Sequence, residues 1–158
     1  MIRVGIGYDS HRFAEGRRLV LGGVTIPHSH GLAGHSDADA VAHALTDAIL
    51  GAAGAGNIGQ LFPDTDPQWK DADSMELLRT AHELVRGRGL ALAQADLSII
   101  TELPRLGPHL SAMGAALAGR LGLATGAVNV KAKTNEAMGF IGRGEGLAVI
   151  AVALLEGR

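Results

Sequence analysis

The stretch LAVIAVALL, residues 147–155, carries no charge and is bounded by Gly146 and by Glu156-Gly157. A run this short and this apolar predicts a strand in the middle of a sheet, buried on both faces. Upstream of it, GFIGRGEG (139–146) is a glycine-dense loop, and VNVKAK (128–133) alternates with period two, as a strand does. Further out, His109–Leu121 reads as a helix stopped by Gly122, Pro104 and Pro108 frame a turn, and Ala91–Thr101 reads as another strand. Two more helices are predicted. Asp73–Arg86 is amphipathic with Ser74 as its cap, and Ala38–Ala53 gathers Val41, Leu45, Ala48 and Ile49 on one face. At the N-terminus, Ile2, Val4 and Ile6 alternate over a strand at 2–8, and RLVLG with VTI forms a hairpin about Gly22-Gly23. The order β-β-β-α-α-β-α-β-β predicts a single α+β domain over 1–158. Its mixed sheet carries three main helices on one face, in ferredoxin-like layers.

Composition narrows the classes. The chain has 158 residues, of which 23 are Gly and 26 Ala, with only five aromatics, so its core must rest on small aliphatic contacts and close backbone approach. A net charge of −2 and the lack of any basic run argue against nucleic-acid binding. Zero cysteines exclude disulfides, thiolate metal sites and a Cys nucleophile, so any metal here must use His and carboxylate. Neither a signal peptide nor a run near the ~20 apolar residues of a membrane span is visible, which predicts a cytoplasmic protein. The glycines at 5, 7, 142, 144 and 146 are expected where the chain meets phosphates or turns sharply.

Chemistry concentrates in four places. Asp9 and His11 stand two apart at the end of the first strand, on one side of it, and His43 lies on a separate helix. One carboxylate and two imidazoles suit a Zn2+ site with an open position, although the same residues also read as a turn cap and a half-buried helical histidine. His35 and Ser36 precede the helix at its positive end, where phosphate is favoured. FPDTDP (62–67) sets two carboxylates on a turn, either as a connector or as ligands for hydroxyls or a cation. KAKTNEAMGF (131–140) places Lys131, Lys133, Thr134 and Glu136 after a strand, as a solvated turn or as partners for phosphate and Mg2+. GRGEG (142–146) leads into a strand and not a helix, so it is no nucleotide fingerprint. Arg143 within it is an anion ligand or a partner of Glu145.

Taken together, GYDSHRF (7–13), LGGVTIP (21–27), GLAGHSDAD (31–39), HALTDAILGA (43–52), NIGQLFPDTDP (57–67), VNVKAKTNE (128–136) and GFIGRGEGLAV (139–149) resemble the 2-C-methyl-D-erythritol 2,4-cyclodiphosphate synthase family of the non-mevalonate isoprenoid pathway. Each string is weak alone. In this order, from Arg3 to Leu155, they are specific.

The resemblance implies a metal-dependent phosphorus–oxygen lyase. It would convert 4-diphosphocytidyl-2-C-methyl-D-erythritol 2-phosphate into the cyclic diphosphate and CMP without a protein nucleophile. Asp9, His11 and His43 then correspond to ligands of Zn2+ or another divalent transition metal, and Glu136 to the Mg2+ ligand. His35 and Thr134 correspond to the catalytic contacts, with Ser36 holding phosphate. Asp9, His11 and Glu136 also count among the substrate contacts. The methylerythritol is implied at Asn57, Ile58 and Gly59 and at Phe62, Pro63, Asp64, Thr65 and Asp66. Cytidine is implied at Thr101, Pro104, Leu106 and Gly107 and at Ala132, Lys133, Thr134 and Asn135, with Phe140 and Arg143 in the binding set. The family is a homotrimer with sites between subunits. Asn57 replaces an acidic residue of the family pattern, Lys133 and Asn135 replace members of a hydroxyl-rich run, and Ile141 replaces a hydroxyl residue. A zinc phosphohydrolase and a non-catalytic trimeric binder with structural zinc are the rival readings.

Overall fold

The computed structural model describes residues 1–157. Its strands are β1 (Ile2–Ala14), β2 (Leu19–Leu21), β3 (Val24–Ile26), β4 (Gly31–Leu32), β5 (Leu90–Ile100), β6 (Val128–Lys133) and β7 (Gly146–Gly157). The helices are α1 (Ala40–Ala53), α2 (Ile58–Leu61), α3 (Ser74–Gly87), α4 (Leu110–Leu121) and α5 (Gly139–Gly142). The five-stranded sheet has the order β4-β1-β7-β5-β6, with β2 and β3 forming a separate hairpin. Only β5 and β6 run parallel, so the sheet is mixed. The apolar stretch 147–155 lies within its central strand, as the sequence requires.

Burial of that strand is complete on one face only; on the other, Ala148 is buried while Ile150 and Leu154 are half-buried. Leu147, Val149, Ala151, Ala153 and Leu155 are sealed beneath the helices, whereas Val152 on the other face is 40% exposed. On β1 the alternation is sharper still: Ile2, Val4, Ile6 and Tyr8 all face outward, Ile6 being 71% exposed. The outward apolar strip of β1 and Val152 has no cover within this chain.

The inner face explains the Gly and Ala content. A Cβ on Gly5 would sit 2.1 Å from the Ala48 carbonyl oxygen, and one on Gly7 1.9 Å from that of Ala44. Strand β1 thus rests directly on the backbone of α1. These two glycines meet a helix, not a phosphate, which corrects the expectation for them. Gly142 and Gly146 likewise abut backbone, at Ala137 and at the His11 carbonyl, and Gly144 alone of the five makes a left-handed turn at φ +74°.

Three further departures bear on the site. Strand β1 runs past residue 8 to Ala14, because β7 pairs with it as far as Arg12↔Gly146 and β4 continues at Phe13 and Ala14. Asp9 and His11 consequently lie inside a paired strand and not at its end. The α3 cap is Asp73, whose side chain accepts the Met75 N–H, which makes Ser74 the first helical residue. Segments 57–61 and 139–142, expected as loop, form the short helices α2 and α5.

Candidate functional site

Asp9 and His11 project from β1 toward His43, which stands in the first turn of α1. Helix α1 starts where it does because Asp39, fully buried, accepts the N–H groups of Val41 and Ala42 as its cap. The same carboxylate accepts Gly22 N–H at 2.8 Å and Gly23 N–H at 2.7 Å, tying the β2–β3 turn to the helix. With β1 seated against Ala44 and Ala48, the His43 turn is fixed relative to the strand.

The geometry of the three side chains is tight. Asp9 Oδ2 lies 2.8 Å from His11 Nε2 and 3.4 Å from His43 Nδ1, and the two imidazole nitrogens are 3.3 Å apart. Among the described residues this is the one group of three or more His, Asp or Glu side chains converging as metal ligands do. The remaining ring nitrogens are committed elsewhere. His11 Nδ1–H donates to the Ala33 carbonyl at 2.7 Å, and His43 Nε2 faces the Ser74 hydroxyl at 2.8 Å.

With those protons placed, His11 Nε2, His43 Nδ1 and Asp9 Oδ2 all present lone pairs to one another. Asp9 Oδ2 is buried without a well-directed hydrogen bond. A cation between them satisfies all three at once: a divalent metal or, in its absence, the proton that His11 Nε2 then donates to Asp9 Oδ2. Burial pushes the Asp9 carboxyl up, but hydrogen bonds and charge from His11 and His43 carry it below its usual value. Burial likewise pulls His11 down, and the hydrogen bond and charge of Asp9 more than reverse this, leaving it raised. A nitrogen–oxygen donor set with every outer nitrogen anchored fits a divalent transition metal.

Beside this corner lies a cavity of about 340 Å3, lined in part by His11, His35, Ser36, His43, Phe62 and Asp64. His35 reaches across to the Asp66 carbonyl at 3.2 Å, closing the FPDTDP turn against the loop before α1. Ile58 and Gly59 line the same cavity. Asn57 spends its side-chain oxygen capping α2 through Gln60 N–H, and Asp66 caps the turn at Pro67–Trp69. Pro63 is half-buried and Thr65 exposed on the same turn. The Ser36 hydroxyl points inward, 3.2 Å from His43 Nε2, and accepts Ala38 N–H.

The other expected contacts lie elsewhere in the chain. None of Thr101, Pro104, Leu106, Gly107, Ala132, Lys133, Thr134, Asn135, Glu136, Phe140 or Arg143 lines that cavity. Thr101 is buried with its hydroxyl donating to Leu103 O, and Leu106 is buried, but Lys133, Thr134, Glu136 and Phe140 are exposed. Arg143 pairs with Glu145 at 2.8 Å on the surface. Glu136 and Ala137 both adopt left-handed backbone, and the Glu102 carboxylate accepts the N–H groups of Asn135 and Ala137 around them. Sequence reading passed over Glu102, Asp37 and Asp39, and gave Ser74 only the role of a helix cap. Their function is to hold other groups, which no spacing signals, although the acid-rich run SDAD before a helix hinted at two of them.

Fold and site together define an α+β protein with a mixed sheet in which strand β1 and helix α1 bring Asp9, His11 and His43 together as a group able to hold a metal ion. Relatives sharpen that class. The YgbB family model matches residues 2–156. The 2-C-methyl-D-erythritol 2,4-cyclodiphosphate synthase of Bordetella pertussis is 56% identical over 97% of this chain and 94% of its own length. A solved 2C-methyl-D-erythritol-2,4-cyclodiphosphate synthase in a CDP-bound form superposes with a TM-score of 0.89 at 44% identity, covering 98% of this chain and 100% of that one. The bifunctional IspDF of Campylobacter jejuni gives a TM-score of 0.97 at 47% identity, with 100% of this chain matching 43% of the longer one. The chain belongs to the YgbB family, with the 2-C-methyl-D-erythritol 2,4-cyclodiphosphate synthases as its relatives.

Proposed function

We propose that residues 1–158 form one cyclodiphosphate synthase domain in ferredoxin-like layers. It converts 4-diphosphocytidyl-2-C-methyl-D-erythritol 2-phosphate into 2-C-methyl-D-erythritol 2,4-cyclodiphosphate and CMP, as a phosphorus–oxygen lyase acting in the cytoplasm. The observation that carries this reading is the convergence of Asp9, His11 and His43 as metal ligands converge, in a chain 56% identical to a synthase of that name. An oxygen of the substrate's 2-phosphate bonds to the β-phosphorus while the bond from that phosphorus to the α-phosphate oxygen breaks. CMP leaves with that oxygen and the electron pair.

Zn2+ or another divalent transition metal at the corner would polarise the β-phosphate, and Mg2+ at Glu136 would share the charge of the substrate phosphates. Asp9, His11 and His43 hold the first ion, and the single carboxylate of Glu136 suits Mg2+, which is commonly bound by one or two carboxylates plus phosphates. His35 and Thr134 contact the reacting phosphates and Ser36 steadies them. Asn57, Asp64 and their neighbours orient the erythritol. The cytidine lies against Thr101–Gly107 and Ala132–Asn135, with Phe140 and Arg143 at the edge. Positioning and charge neutralisation account for the rate.

The same reading makes the protein a homotrimer with shared sites. Support comes from the outward apolar strip of Ile2, Val4, Ile6, Tyr8 and Val152, and from the distribution of the contacts between two parts of the surface. In a trimer, the corner of one subunit faces the 101–136 side of the next. Phosphorus NMR of purified protein with the substrate, Zn2+ and Mg2+ tests the chemistry: cyclic diphosphate with CMP is expected. An open-chain phosphate product would make it a zinc phosphohydrolase, and metal binding without turnover a structural-zinc binder. Sharing is tested by mixing Asp9→Ala and Glu136→Ala chains, each inactive alone. Random exchange in a trimer restores about a quarter of the sites, whereas sites within one chain restore none.

A further inference from the structure

We propose that Ser74 and Asp37 are positioning residues for the metal corner, forming an outer hydrogen-bonded chain that fixes the tautomer of His43 and aims its Nδ1 at the cation. The inference rests on the reading of Asp9, His11 and His43 as a transition-metal site. It adds two residues that touch neither metal nor substrate.

The direction of the chain follows from donor counting. Asp37 is an acceptor, and one of its oxygens takes the Ser74 hydroxyl proton. The same carboxylate accepts Ser74 N–H at 3.2 Å and Asp39 N–H at 3.1 Å. A serine hydroxyl has one proton. Once that proton points at Asp37, Ser74 Oγ can only accept from His43 Nε2, 2.8 Å away. His43 must then carry its proton on Nε2, and its lone pair on Nδ1 faces Asp9 and His11 Nε2.

Ser74 is free for this task. Asp73 already caps α3 through Met75 N–H, so the Ser74 side chain is not needed by the helix end it occupies. It is also fully buried, where a hydroxyl without partners would be costly. The longer 3.2 Å contact from Ser36 Oγ to the same nitrogen is the secondary one. His11 is oriented by a backbone carbonyl, which no side-chain substitution can remove, whereas the partner of His43 is open to mutation. A carboxylate at the end of the chain also raises the basicity of the imidazole toward a metal.

The test uses the full chain, stripped of metal, with Co2+ as probe: affinity by titration, geometry by the visible absorption band, and Zn2+ affinity by chelator competition. Ser74→Ala is expected to lose about 10–100-fold in affinity and to shift the Co2+ band. Ser74→Thr, which keeps the hydroxyl, should return toward wild-type affinity, and Asp37→Asn should fall between. A merely structural role would lower the melting temperature of metal-free Ser74→Ala and leave affinity and band unchanged, and that result overturns the proposal. Should Ser74→Ala not fold, Asp37→Asn with wild-type affinity and band overturns it equally. Wild-type protein that binds neither Co2+ nor Zn2+ refutes the metal reading itself, an outcome distinct from wild-type binding that the variants leave unaltered.

Discussion

The corner of Asp9, His11 and His43 and the rim formed by residues 101–107 and 133–143 are built on opposite plans. At the corner every functional side chain sits on a paired strand or a helix, and each imidazole has its outer nitrogen anchored. The rim puts Lys133 at the end of β6 and Thr134 and Glu136 on the turn that follows, all in solvent, the turn having two successive left-handed residues. The difference teaches where preorganisation is complete. The two imidazoles and the carboxylate are held in place by the fold through the strand, the helix and the anchored outer nitrogens, so the corner is finished within one chain. Under the proposed sharing of sites between subunits, the groups of the rim would wait for the neighbouring subunit, and a strained turn tied at two points is sufficient until then.

The sharpest break of this contrast is His43→Ala. Losing one of three ligands should abolish stable transition-metal binding and lower turnover on the order of 10³-fold, since metal polarisation is worth several kcal/mol. Because β1 and α1 meet through backbone and alanine, the variant should stay folded by circular dichroism. An unfolded variant would mean that the metal, and not the packing, builds the corner.

Next in size is Gly7→Ala. Its methyl would have to occupy space 1.9 Å from the Ala44 carbonyl, so β1 and α1 must separate, at about 3 kcal/mol or more. Ala44 adjoins His43, so metal affinity should fall together with denaturant stability. Gly144→Ala on the rim side supplies the contrast. Nothing crowds that position, and the left-handed φ alone costs about 1 kcal/mol, so Co2+ affinity should not move.

The sequence was most legible where one period governs. The apolar run 147–155 and the helical faces at 41–49 and 74–86 placed β7, α1 and α3 close to their observed bounds, and the alternation of Ile2, Val4 and Ile6 placed the start of β1. Asp9, His11 and His43 were legible because His and Asp, the residue types able to hold a metal in a chain without cysteine, are chemically distinctive. Other features depend on partners distant in sequence. Strand β1 outlasts its alternation because β7 and β4 continue to pair with it. Gly5 and Gly7 looked like room for a ligand, but only the fold reveals that α1 fills that room. Ser74 read as a cap because Ser is a common one, while neighbouring Asp73 took the position and released Ser74 to the corner. Glu102 has no motif at all. Its importance comes from two N–H groups more than thirty residues away.

Glu102 yields the smallest expected effect and the finest test of independence between the regions. Left-handed φ at Glu136 and Ala137 costs about 1–2 kcal/mol per residue, and the Glu102 carboxylate offsets this by accepting the N–H groups of Asn135 and Ala137. In Glu102→Ala those groups turn to water and the turn samples other conformations. Removing about 1.4 kcal/mol of bias shifts the equilibrium against the working geometry roughly tenfold, so kcat/KM should fall by up to about that factor. The loss should appear mainly in KM, because the turn would have to be ordered by the substrate. Glu102→Gln retains one acceptor oxygen and should lose less. Neither substitution touches β1 or α1, so the Co2+ band and affinity of the corner should match wild type. A shifted band in Glu102→Ala would show that order at the rim propagates to the corner, and the two plans would then be one.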